Sequence, residues 1–144
     1  MTRRVTILLA LLPFATLART VTTLDGGWTA DGVAVDVPHT WNAVDAADGE
    51  GRAPDWAKVG YSSGATSYVR KAVIYRRSLP DPKPGRRYFL KCAGASVKCV
   101  TRVNGREIGR HTGAFTAFCH EATAALKPTG NILEMTVDNS FDPD

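Results

Sequence analysis

Acid–base, nucleophilic and metal chemistry each demand particular residue types in particular arrangements, and this chain supplies the types more readily than the arrangements. Its glutamates are Glu50, Glu107, Glu121 and Glu134. Acid–base or nucleophilic work by paired carboxylates needs two carboxyl groups held close together in one site. None of the four glutamates stands in a motif that would arrange such a pair. His39 is of the type that moves protons near neutral pH. No serine or cysteine nucleophile stands in a recognisable elbow or pairing with it, so the expected role is a ring packed or hydrogen-bonded under a loop beside Trp41. Cys92, Cys99 and Cys119 have no C-x-x-C spacing, and His39, His111 and His120 do not recur at zinc-ligand intervals. No metal or cofactor is implied.

The stretch 43–67 is different in kind. It is rich in Ala, Asp, Gly and Ser, with weak periodicity, and reads as a long loop. Asp45, Asp48, Glu50 and Asp55 make it acidic, while Trp56 and Tyr61 supply aromatic rings that could stack on a flat ligand. The regular spacing and closing Glu of an EF-hand calcium loop are absent. A solvated rim loop accounts for most of its features.

These residues need elements to hold them, and the clearest run from Phe89 to Ser140. Segments 89–93, 97–103 and 131–138 are apolar, β-favouring and separated by Gly, Asn and Pro. Asn104-Gly105 between Val103 and Ile108 is a strong hairpin signal. Val97, Cys99, Thr101 and Val103 share one face, opposite Lys98 and Arg102. Leu133, Met135 and Val137 alternate with Glu134, Thr136 and Asp138, the period of a half-buried strand. Val33, Val35 and Val37 alternate in the same way until Pro38, which has no N–H to donate. In 68–79, Val73, Tyr75 and Leu79 are expected inward, with arginine stems over the outer face. Asp81-Pro82-Lys83-Pro84-Gly85 is a turn, after which residues 87–90 re-enter the sheet. The segment 115–126 admits a short helix on its Ala and Leu content, against its threonines.

At the start, Arg3 and Arg4, an apolar stretch over 5–12 and small residues to Ala18 have the order of a secretory signal. The apolar run is too short to span a bilayer. Residues 1–18 are therefore expected to be cut away near Ala18, leaving 19–144 as one domain exported to the periplasm or medium, with no membrane partner after cleavage. Cleavage removes Arg3 and Arg4, taking the formal charge from +4 to +2. The remaining cations are interleaved with acids rather than massed beside aromatics, which argues against nucleic acid as a partner.

Several motifs fall in one order along the chain: Gly26-Gly27-Trp28, Pro38-His39-Thr40-Trp41-Asn42, Tyr75-Arg76-Arg77 with Pro80, Val103-Asn104-Gly105, Gly109, His111, Gly113-Ala114-Phe115, Phe118, Leu126-Lys127, Gly130-Asn131 and Val137-Asp138-Asn139-Ser140. Together they resemble the amino-terminal sugar-binding domain of glycoside hydrolase family 2, which includes β-galactosidases, β-glucuronidases and β-mannosidases. The resemblance implies an all-β fold, an antiparallel jelly-roll sandwich of the galactose-binding-domain type. It also implies a strand and tight turn, not a helix, between Phe115 and Leu126. At Cys92 and Cys119 it leads us to expect bulky apolar residues, so buried thiols are favoured over a disulfide.

In complete enzymes of this family the domain precedes an immunoglobulin-like sandwich and a TIM barrel that carries both catalytic glutamates. The resemblance therefore implies a fragment lacking the last jelly-roll strand and the catalytic domains, inactive alone, whose partners are those domains and a β-glycoside carbohydrate. Asn139 and Asp142 are the candidates nearest the substrate rim, with strand capping their plainer role. The alternatives are a free-standing secreted carbohydrate-binding module, with Trp41, Trp56 and Tyr61 as its aromatic platform, and a non-catalytic structural or interaction sandwich.

Overall fold

The computed structural model describes residues 19–40 and 71–140. They form eight strands: β1 (Trp28–Ala30), β2 (Val33–Val35), β3 (Ala72–Ser78), β4 (Phe89–Cys92), β5 (Lys98–Val103), β6 (Arg106–Thr112), β7 (Phe118–Glu121) and β8 (Ile132–Asp138). A single 3₁₀ turn, Thr123–Ala125, follows β7. Every pairing is antiparallel. One sheet of six strands runs in the order β2-β1-β3-β8-β5-β6, and β4 with β7 forms a second. The fold is an all-β antiparallel sandwich, and Phe118–Glu121 is a strand followed by a turn rather than a helix.

Period-two alternation builds the core in cross-strand rows. Val73, Val137 and Cys99 are register partners, as are Tyr75, Met135 and Thr101, and again Arg77, Leu133 and Val103. All of these except Arg77 and Met135 are buried. The rows between them point outward: Arg76, Glu134 and Arg102 form one, joined by Arg76 Nε to Glu134 at 2.8 Å and Arg102 to Glu134 at 3.7 Å. An exposed pair of this kind contributes at most about 1 kcal/mol, so the ladder fixes register more than it stabilises.

Four expectations need correction. Arg77 does not lie on the outer face: strand parity puts it in line with Val73 and Tyr75, with its guanidinium 5.7 Å from the Trp28 ring. Val33 is exposed, because β2 is a three-residue edge strand. Residues 89–92 join the small sheet, not the large one. Cys119 is exposed and Cys92 half-buried, and the buried thiol is Cys99. All three cysteines are free. Cys92 and Cys119 sit at adjacent register positions of β4 and β7, so they project to opposite faces of the pleat and cannot meet. Burial pushes the Cys99 thiol up to about 11.

The two sheets meet through an unusual seam. His111 stacks on Phe118 at 4.4 Å, and Phe118 lies 5.0 Å from His120. The His120 ring rests directly on Gly109; a methyl group there would stand 2.5 Å from it. Gly109, His111 and Phe118 therefore act together as the packing joint between β6 and β7.

Candidate functional site

One end of the large sheet collects the polar groups and open loops. Ala72, Asp138, Lys98 and Thr112 line up there across four strands. The chain enters β3 through Lys71 at this end and leaves β8 through Asn139 and Ser140. The β4–β5 and β6–β7 connections arrive here as well: Val97 N–H donates to the Asp138 carbonyl and Gly113 N–H to the Val97 carbonyl, both at 2.7 Å. The β1–β2 turn completes the rim. Asp31 and Gly32 both have positive φ, at 48° and 88°, the requirement of a type I′ hairpin turn. The Asp31 carboxylate accepts the Ile74 N–H at 2.9 Å and lies 3.5 Å from Lys71 Nζ.

The electrostatics of the rim favour binding over proton transfer. The Ile74 N–H bond chiefly holds the Asp31 carboxyl below its ordinary value, against a desolvation cost that Lys71 helps to offset. Asp138 is lowered by the hydroxyl and N–H of Ser140. A general acid at neutral pH needs the opposite shift, so both groups serve as ionised acceptors. Thr116 Oγ1 and His111 Nε2 are 2.9 Å apart, and this contact sets the imidazole against Phe118. Phe115, at the tip of the β6–β7 loop, is 96% exposed.

Of the residues predicted for the site, Asn139 stands on this rim. Its Oδ1 accepts the Lys71 N–H at 2.9 Å, and its own N–H reaches the Lys71 carbonyl at 3.3 Å. It thus ties the end of β8 to the start of β3. Trp41, Trp56, Tyr61 and Asp142 lie outside the described residues, as do the signal segment 1–18 and Glu50. Phe115 is not among the aromatics that the sequence marks for the site, since it stands inside a motif. Its flanks, Gly113-Ala114 and Thr116-Ala117, were a usable signal, since nothing bulky beside it could cover the ring.

The described glutamates are engaged with arginines. Glu107 binds Arg110 at 2.7 Å, Glu121 binds Arg87 at 2.7 Å, and Glu134 binds Arg76. Hydrogen bonds from those arginines hold Glu107 and Glu121 below the ordinary carboxylate range. His39 is held by hydrogen bonding, with Nδ1 2.8 Å from the Tyr75 hydroxyl and its ring edge-on to the tyrosine. Among the described residues no group of three His, Cys, Asp or Glu side chains could hold a metal ion.

No family model matches the chain. It is 38% identical over 93 residues to a β-glucuronidase of Bacteroides fragilis, a match covering 65% of this chain and 12% of that protein. Among solved structures, an FMN-binding β-glucuronidase from Faecalibacterium prausnitzii L2-6 matches at 28% identity with a TM-score of 0.65, over 83% of this chain and 18% of that one. A Bacteroides fragilis protein assigned as a β-galactosidase matches at 29% identity with a TM-score of 0.71, over 89% of this chain and 20% of its own. The relatives are thus glycosidases of the β-glucuronidase and β-galactosidase kind, and the chain spans only about an eighth of the curated relative's length.

Proposed function

We propose that this chain is the amino-terminal sugar-binding jelly roll of a family 2 glycosidase, a non-catalytic unit that helps shape the approach to an active site carried elsewhere. The observation that carries this reading is the match of 38% identity over 93 residues to a protein of which the match covers 12%. It gains support from the motif residues, whose positions have structural work to do: Asn104 and Asn131 bond to each other, Gly109 seats His120, and Asn139 ties two strands. A glycan contacting the rim would meet ionised acceptors at Asp31 and Asp138 and the ring face of Phe115. That aromatic also keeps the free-standing binding module in play as a second reading. Residues 1–18 are proposed to export the chain, with cleavage near Ala18, which the mass of the secreted product tests.

The functional test is a chimera. The matching segment of the Bacteroides fragilis β-glucuronidase is replaced by this chain, and hydrolysis of a chromogenic β-glucuronide is measured beside the chain alone. Turnover by the chimera and none by the isolated chain is expected. Hydrolysis by the isolated chain, or a folded chimera inactive on glucuronide, galactoside and mannoside chromogens alike, would overturn the reading.

A further inference from the structure

At the end of the sandwich opposite the rim, the 82–88 loop and the segment after the 3₁₀ turn enclose an open groove of about 480 Å³. Its walls carry Lys83, Arg86 and Lys127, and no carboxylate lines it. All three cations are exposed, and no ion pair occupies them among the described residues. By contrast Arg76, Arg87, Arg102 and Arg110 each have a carboxylate within 4.0 Å, while Arg77 lies over the Trp28 ring and Arg106 donates to the Ala124 carbonyl. The groove gathers three cations with no carboxylate among its lining residues.

It is also held in shape. The Tyr88 hydroxyl accepts the Lys83 N–H at 2.6 Å, pinning the loop. The Tyr88 N–H donates to Thr123 Oγ1 at 2.9 Å, and its carbonyl accepts from Ala122 at 2.9 Å. The tyrosine therefore joins the loop to the turn, and it lines the groove together with Pro84 and Pro128, both with φ fixed by their rings. Exposed cations on a pinned loop, beside an aromatic and two prolines, are complementary to a ligand that is anionic at intervals and apolar on its ring faces. We propose that this groove binds an acidic polysaccharide, a chain of uronate-bearing sugars, at a site separate from the rim. Carboxylates would pair with Lys83, Arg86 and Lys127, and one sugar ring would lie against Tyr88. That the polyanion is a glycan rests on the proposed function; that it is an anion rests on the cations alone.

Affinity electrophoresis of the chain through polygalacturonate tests the proposal, with neutral galactan and duplex DNA gels as comparisons. The triple variant Lys83→Gln, Arg86→Gln, Lys127→Gln is run beside an equal-charge control, Arg76→Gln, Lys91→Gln, Arg110→Gln, with circular dichroism confirming that both fold. Retardation by polygalacturonate is expected to weaken at least tenfold in the groove variant and less than twofold in the control. Tyr88→Leu, also checked for folding, is expected to weaken it several-fold without a change of charge. Equal losses in the two triple variants, no retardation of the unaltered chain, or equal retardation by DNA would each overturn the proposal. Hydrolysis enters none of these readouts, so failure here is distinct from failure of the chimera.

Discussion

The two hairpin turns, Asp31-Gly32 and Asn104-Gly105, have the same backbone and opposite uses. Each places positive φ on an acid or amide followed by glycine, at 48° and 88° in one and 54° and 80° in the other. They stand at opposite ends of the six-stranded sheet. At the rim, Asp31 spends its side chain on one exposed N–H and one lysine. At the other end, Asn104 uses both ends of its amide. Nδ2 donates to the Ala125 carbonyl and to Asn131 Oδ1, each at 2.8 Å, while Oδ1 accepts the Ile132 N–H at 3.0 Å. Asn131, with no exposed surface, then bonds the N–H and carbonyl of Lys127. One turn is an anchor for a closed polar network, and the other leaves its carboxylate on an exposed surface.

That contrast sets the order of the expected effects. Asn131→Ala is the largest. It strands the Lys127 N–H and carbonyl in a part-buried site, and each unsatisfied group costs about 1–3 kcal/mol, so a total loss near 3 kcal/mol is expected from urea denaturation. A loss below about 1 kcal/mol would mean the network is no stronger than the rim. Gly109→Ala follows, at about 1–3 kcal/mol, because the added methyl would meet the His120 ring at 2.5 Å. The double variant Gly109→Ala, His120→Ala should recover part of that loss. If it does not, the seam between the sheets is held by something other than this contact.

Much of this was legible in the residues, and the misses have physical causes. The Asn104-Gly105 hairpin was plain because long alternating strands flank it. Asp31-Gly32 carries the same chemistry but went unread, since β1 and β2 have three residues each and no period can show itself in so few. Alternation placed Val73 and Tyr75 inward correctly and would have placed Arg77 with them. Charge argued the other way, and the Trp28 face made an inward guanidinium tolerable. At Cys119 the family resemblance implies a bulky apolar core residue, yet strand parity puts it back to back with Phe118 and His120. Of the proposed rim, Asn139 could be placed from sequence, whereas Asp31 could not. Its role depends on a turn that brings residue 31 against residue 74, and only the register of β1 on β3 shows that.

Thiol chemistry sharpens the inside–outside distinction at smaller amplitude. Cys119 should react with an aromatic disulfide reagent at the rate of a free thiol at pH 8. Cys99, buried and held up to about 11, should react only on unfolding. Because its folded pKa is raised above the ordinary 9.0, its contribution to stability is intact below that value and is lost as pH rises toward 11. Cys99→Val should flatten part of that alkaline decline. Equal labelling rates for the two thiols would contradict the core assignment.

The smallest effect is the most direct comparison of the two turns. Asp31→Asn keeps a residue that tolerates positive φ and keeps an oxygen for the Ile74 N–H, so at pH 7 it should cost under about 1 kcal/mol, the range of an exposed pair. Its signature is in the pH profile. The folded carboxyl lies below its ordinary 3.8, so its contribution is present above that value and disappears as pH falls through the folded pKa. The unaltered protein should therefore lose more stability than Asp31→Asn between about pH 5 and pH 2. The reciprocal change, Asn104→Asp, should behave oppositely. It sets a carboxylate against the Ala125 carbonyl and Asn131 Oδ1, which favours the protonated form and makes that variant recover stability relative to the unaltered protein as pH falls. Melting temperatures across that range, taken for both variants, decide the matter. Slopes of the same sign would show that the two turns differ in burial alone and not in what their side chains are made to bind.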